Sequence, residues 1–109
     1  MINKINLEDF RTPKAKIFTG RDRGEQVRKD SKIDEIESKF DKVDFIIPAN
    51  LYSINPSFFE ELFINVVKKL GEDNFHQKFN FINEGKYNYE KPLKEAINRI
   101  LREKTALDK

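Results

Sequence analysis

Ser57 has the setting richest in chemistry, within the run Ile54-Asn55-Pro56-Ser57-Phe58-Phe59-Glu60-Glu61-Leu62. The run reads as a strand exit, a capping serine and an amphipathic helix that starts abruptly. A serine at a helix N-cap accepts a hydrogen bond from a backbone N–H of the first turn. Its hydroxyl stands at the positive end of the helix dipole, where a phosphate is also welcome. The position therefore suits either a phosphorylation switch or a plain cap. Glu60 and Glu61 follow at once, but neighbours on a helix point about 100° apart, so they do not form a carboxylate dyad; they complement the helix N-terminus instead.

The other reactive residue types are sparse. His76 is the only histidine and there is no cysteine, so a metal site lacks ligands and His76 is expected as a surface or satisfied histidine on a strand. Gly20-Arg21-Asp22-Arg23-Gly24 has the look of a phosphate loop, without the lysine-serine or lysine-threonine ending and the third glycine of known phosphate cradles. Arg21, Arg23, Arg28 and Lys29 form a basic segment, interrupted by Asp22, Glu25 and Asp30, which reads as a solvated helix face or a partner patch. Asp44 interrupts an apolar strand and calls for donors or a cation, for which Arg21 or Arg28 is the candidate. No nucleophile–base pair or metal set can be assembled, so an enzyme is not the reading, and no cofactor is implied.

These residues need elements to hold them. Apolar residues at Ile2, Ile5 and Leu7 suggest an edge strand, broken by Arg11-Thr12-Pro13, and one that could pair with another copy of the chain. A short strand is expected over 15–18, stopped by Gly20, and a solvated helix over 21–30 with Val27 as its one large apolar residue. Ser31 reads as the start of another helix, whose face is Ile33, Ile36 and Phe40. Val43-Asp44-Phe45-Ile46-Ile47 is the best strand, expected to be central and covered on both faces. The helix over 57–70 gathers Phe58, Phe59, Leu62, Phe63, Val66, Val67 and Leu70 on one broad face, and Gly71 stops it. Phe75, Phe79 and Phe81 are separated by even numbers of residues, as on a half-buried strand. After a loop over 84–90, Pro92 opens a helix striped with Leu93, Ala96, Ile97, Ile100 and Leu101. Strands alternating with helices give an α/β domain: a mixed β-sheet of about four strands packed with helices.

Composition bounds the chain to one domain over 1–109. Its 109 residues are 38% hydrophobic, with ten phenylalanines and no tryptophan, enough for a single core built on Phe. A net charge of +2 does not by itself argue for nucleic acid or an anionic membrane. There is no membrane-length apolar run and no signal-peptide pattern, so a soluble cytoplasmic protein is expected.

The order Phe18-Thr19-Gly20-Arg21 with Gly24 and Arg28, then Val43-Asp44-Phe45, then Ser57-Phe58-Phe59-Glu60-Glu61-Leu62, then a Phe-rich strand and a closing helix, resembles the STAS-like domains of bacteria. The likeness is to the small stand-alone branch and spans residues 17–101. It implies a regulatory, non-enzymatic relative of anti-sigma-factor antagonists: an α/β module that binds a switch kinase of the histidine-kinase ATPase type and is phosphorylated on a serine at a helix start. Ser57 is the matching position. Where the better-studied antagonists carry an aspartate-serine pair and a small helix start, this chain has Asn55, Pro56 and the bulky Phe58-Phe59.

On the helix, Ser57, Ile64 and Lys68 lie close together with Glu61 beside them, opposite the Phe stripe. With Arg21 and Arg28 they make the expected partner surface. A phosphate on Ser57 would add about two negative charges near Glu60 and Glu61 and weaken the binding of an acidic partner. The alternatives are a nucleotide- or nucleic-acid-binding regulator using Arg21, Arg23 and Arg28, or a counter-defence binding protein of a phage or mobile element.

Overall fold

The computed structural model describes residues 3–107, and side chains through residue 103. Among the described residues, five short strands and four helices follow one another: β1 (Lys4–Asn6), β2 (Ile17–Phe18), α1 (Arg21–Ser31), α2 (Ile33–Lys39), β3 (Val43–Ile47), β4 (Ser53–Ile54), α3 (Pro56–Lys78), β5 (Phe79–Asn83) and α4 (Glu90–Leu107), with a 3-10 turn at Leu7–Phe10 after β1. The α/β class read from the sequence holds. The strands divide into a three-stranded sheet, β1-β3-β5, and a separate pair, β2-β4. Every ladder is parallel, as α-helical crossovers require. Ile2 of the expected first strand lies outside the described residues.

β3 is the middle strand, as its apolar run foretold, and Val43, Phe45 and Ile47 are fully buried on the helical side. Phe45 lies 5.1 Å from Phe63 of α3 and 5.3 Å from Phe81 of β5, centroid to centroid. Coverage on both faces does not follow. Register sets Lys4, Asp44 and Asn80 in one row and Asn6, Ile46 and Ile82 in the next on the opposite face. There Ile46 is buried while Lys4, Asn80 and Ile82 are exposed. The helices thus cover one side of the sheet.

Three helix boundaries differ from expectation. Ser31 closes α1 instead of opening α2: the chain turns at Lys32, whose φ of 58° is left-handed, and α2 begins at Ile33. The cap of α3 is Asn55, whose side chain accepts from the Ser57 N–H, with Pro56 in the first turn. Pro56 lacks an N–H and fits the first helical position, which moves the cap one residue before it. Gly71 does stop a helix, at φ 80° and ψ 170°, but helix resumes and runs to Lys78. Phe75 and His76 are therefore helical, and the strand starts at Phe79. The four-residue step from Phe75 to Phe79 satisfies the period of a helix as well as that of a strand, and their rings stack 4.8 Å apart across the junction.

The helix α1 is docked and not merely solvated. Gly24, Val27 and Ser31 are buried, and Gly24 meets the first turns of α3 so closely that a Cβ there would stand 2.4 Å from the Phe58 carbonyl oxygen. α4 packs by Leu93, Ala96, Ile97 and Ile100, all buried, with Leu101 partly so.

Candidate interaction site

The parallel pair β2-β4 ends in two helix starts side by side. Asn55 donates its N–H to the Phe18 carbonyl at 2.8 Å, so the first turns of α1 and α3 issue from adjacent strand ends. Ser57 sits in the first turn of α3, half-buried. Its N–H donates to Asn55 Oδ1 at 2.9 Å and its hydroxyl donates to the same oxygen at 2.7 Å. Ser57 is thus held by the cap and does not act as it. At the opposite end of the pair, where the two strands begin, Ile17 and Tyr52 are exposed, at 51% and 73%, with Ile17 opposite Ser53 in register and the Tyr52 N–H bound to the Lys16 carbonyl.

One turn beyond Ser57, Glu60 and Glu61 enter a charged seam between α1, α3 and α4. Arg21, about half exposed, lies 3.2 Å from Glu60 and 3.3 Å from Glu61. Hydrogen bonding to Glu60, and then that carboxylate's charge, raises the Arg21 guanidinium above its already high value. Arg28 lies 3.5 Å from the Glu61 carboxylate and donates to the Glu61 carbonyl at 2.5 Å. Arg99 of α4 lies 3.7 Å from Glu60 and donates to Glu95 at 2.8 Å. Glu60 is buried, which only a paired carboxylate sustains. The two glutamates are more than complements to a helix dipole: they clamp three helices.

The structure brings Arg21, Arg28 and Glu61 together, but against one another. Ile64 is partly buried against the core and Lys68 is half-buried, so the face of α3 expected to receive a partner is substantially occupied by the chain itself. Arg23 donates to the Phe10 carbonyl. Neither Arg21 nor Arg28 serves Asp44, whose carboxylate instead accepts from Asn80 at 3.2 Å. His76 stands half exposed in the last turn of α3, its Nε2 4.0 Å from Glu72. No group of three His, Cys, Asp or Glu among the described residues is placed to hold a metal, and none of their helices is long and apolar enough to cross a membrane.

Two features escaped the sequence reading. Arg99 gave no sign of its role, since an arginine on the polar side of a helix pairs with whatever the fold sets opposite. Arg11, read only as part of a strand breaker, donates to the carbonyls of Ala49 and Asn50 at 3.0 Å each and so ties down the loop after β3. The cap at Asn55 was legible, because a proline marks the first helical position and the residue before it is the cap.

Neither family models, nor curated proteins, nor solved structures include a match to this chain.

Proposed function

We propose that this chain is a STAS-like interaction module, regulatory and non-enzymatic, that binds a protein partner through the rim around Ser57 and is switched by phosphorylation there. The partner in view is an ATPase of the histidine-kinase type. The observation that supports this reading most is the charge balance beyond Ser57. Glu60 and Glu61, which would repel a phosphate, are matched by Arg21, Arg28 and Arg99. A phosphate on Ser57 would enter the first turn of α3, at the positive end of its dipole, near a half-exposed guanidinium. Modification would turn a near-neutral rim anionic without opposing the fold. The nucleic-acid alternative has less support, because Arg21, Arg23 and Arg28 each have intramolecular partners.

The test is capture from the native host with wild type, Ser57→Ala and Ser57→Asp as baits, followed by mass spectrometry of the bound proteins and of the bait's phosphosites. The expected result is an ATPase-type partner held by wild type and Ser57→Ala and lost with Ser57→Asp. Identical partners for all three baits, with Ser57 unmodified, would overturn the switch.

A further inference from the structure

The outer edge of β5 lies away from the Ser57 rim and carries an inference beyond that reading. β5 is the end strand of its sheet, five residues long, and its sequence Phe79-Asn80-Phe81-Ile82-Asn83 holds no charge and no proline. Edge strands are ordinarily kept single by shortness, charge or proline. The opposite edge, β1, has two of these protections, with three residues beginning at Lys4. β5 has none.

Its backbone is set for pairing. Glu84 donates its N–H to the Ile47 carbonyl, and residues of a parallel ladder alternate in the side to which their backbone groups point. Asn80, Ile82 and Glu84 therefore serve β3, while Phe81 and Asn83 turn their N–H and C=O outward, and the Phe79 N–H is used by Phe75. On the helical side, a cavity of about 440 Å³ runs along this edge, lined by His76, Phe79, Phe81, Tyr89, Leu93 and Lys94. On the open face Ile82 is 38% exposed.

We infer that β5 pairs antiparallel with β5 of a second copy of this chain, about a two-fold axis through Phe81, joining two three-stranded sheets into one of six strands. That register is the one the outward groups fit. Phe81 faces Phe81 of the second copy and exchanges both hydrogen bonds with it, and each Asn83 N–H meets the Phe79 carbonyl of the other chain. Asn80 falls opposite Ile82, and the aromatic linings of the two grooves face each other. Charge selects the same arrangement. The uncharged strand is flanked by Lys78, which ends α3 and holds Glu37, and by Glu84, and the antiparallel register brings the Lys78 end of each strand to the Glu84 end of the other. A parallel copy would set like charge beside like, which is unfavourable across a strand pair.

The test is sedimentation velocity of the full chain, with charge variants at two exposed positions, each checked for folding by circular dichroism. Wild type is expected as a dimer. Asn80→Lys/Ile82→Lys and Asn80→Glu/Ile82→Glu, which place like charges directly opposite each other, are each expected as monomers, and their equimolar mixture as a heterodimer. A monomeric wild type at several hundred micromolar overturns the inference and leaves the edge to a strand from another protein. So does a lysine variant that remains dimeric, or a mixture that remains monomeric. Should the acidic variant not fold, Asn80→Cys/Ile82→Cys decides in a chain that has no native cysteine: mild oxidation yields a covalent dimer if Asn80 faces Ile82 of the second copy, and monomers overturn the register.

Discussion

Replacing Gly24 by alanine separates two opposed expectations for α1. If α1 were a solvated helix, Gly24→Ala would stabilise the protein by about 1 kcal/mol, the difference in helix propensity between the two residues. In the structure the added Cβ would stand 2.4 Å from the Phe58 carbonyl oxygen, 2.9 Å from Glu61 Cβ and 3.2 Å from the Phe58 carbonyl carbon. Two of these three neighbours are backbone atoms of α3, which cannot rotate away, so the helices must part by several tenths of an ångström or more. Overpacking of this kind costs about 1–3 kcal/mol, and the backbone obstruction puts Gly24 at the upper end. Offsetting about 3 kcal/mol by the propensity gain leaves a net destabilisation of about 2 kcal/mol. For a chain of this size that corresponds to a melting temperature lower by about 8 °C, at roughly 4 °C per kcal/mol. Urea and thermal denaturation followed by far-ultraviolet circular dichroism measure both quantities. A variant as stable as wild type, or more stable, would refute the docking of α1 on α3 and with it the clamp of Arg21 and Arg28 on Glu60 and Glu61.

Two further outcomes follow from local geometry. Asn55→Ala removes the cap of α3 and is expected to cost about 1 kcal/mol, whereas Ser57→Ala, which deletes one exposed hydroxyl bond to Asn55, is expected to cost a few tenths of a kcal/mol. Urea denaturation of both variants checks the ranking, and a larger loss for Ser57→Ala would return the capping role to Ser57. Glu37 governs an acid limb of stability. Burial pushes its carboxyl up, but hydrogen bonds from Lys69 and Lys78, at 2.9 and 3.0 Å, and the charges of both lysines outweigh burial and hold it below its ordinary value of 4.5. A carboxyl depressed in the folded state stabilises above its unfolded pKa, and that contribution is lost as pH falls through the folded value. Glu37→Gln is therefore expected to be less stable than wild type at pH 7, by roughly 2 kcal/mol because Lys69 stays half exposed. The gap should close as the pH is lowered below about 4.5, measured by urea denaturation across pH; a gap independent of pH would refute the pairing.

What could be read from the sequence was whatever repeats with a period. The Phe face of α3 and the stripe from Leu93 to Leu101 each carry enough apolar residues at one spacing to fix type and facing, the continuous run Val43 to Ile47 fixes type but not facing, and these set the α/β class. What could not be read depended on partners distant in sequence or on a local ambiguity. Gly24 looks neutral in a charged helix, since close approach is a property of two helices and not of one. Arg21 and Glu60 stand 39 positions apart, and sequence alone cannot tell a solvated arginine from a clamping one. At Gly71 the stop was legible, but the resumption of helix was not, because the step from Phe75 to Phe79 fits both periods. The surroundings of Ser57 were misread: the residues around it on α3 read as a free face because α1 was taken for a solvated helix whose Arg21 and Arg28 face a partner, and not for one packed against α3.

That misreading bears on what a switch at Ser57 would cost. On the function proposed here, a phosphate at the start of α3 competes with Glu60 and Glu61 for Arg21, the most exposed of the three arginines that bind them. Were Arg21 the sole cation, its departure would strand a buried carboxylate, a change that destabilises by several kcal/mol when the pair is fully buried. Glu60 keeps Arg99 and Glu61 keeps Arg28, so neither is left alone. Duplicate pairing thus allows Arg21 to move at small cost, and modification acts on the charge of the rim and not on the integrity of the fold. Ser57→Asp is accordingly expected to unfold with the same midpoint as wild type or slightly above it, since an acid in the first turn also favours the helix dipole. Loss of a partner by that variant then reports on the surface, and an unfolding midpoint well below wild type would show that Arg21 is not free to leave its glutamates.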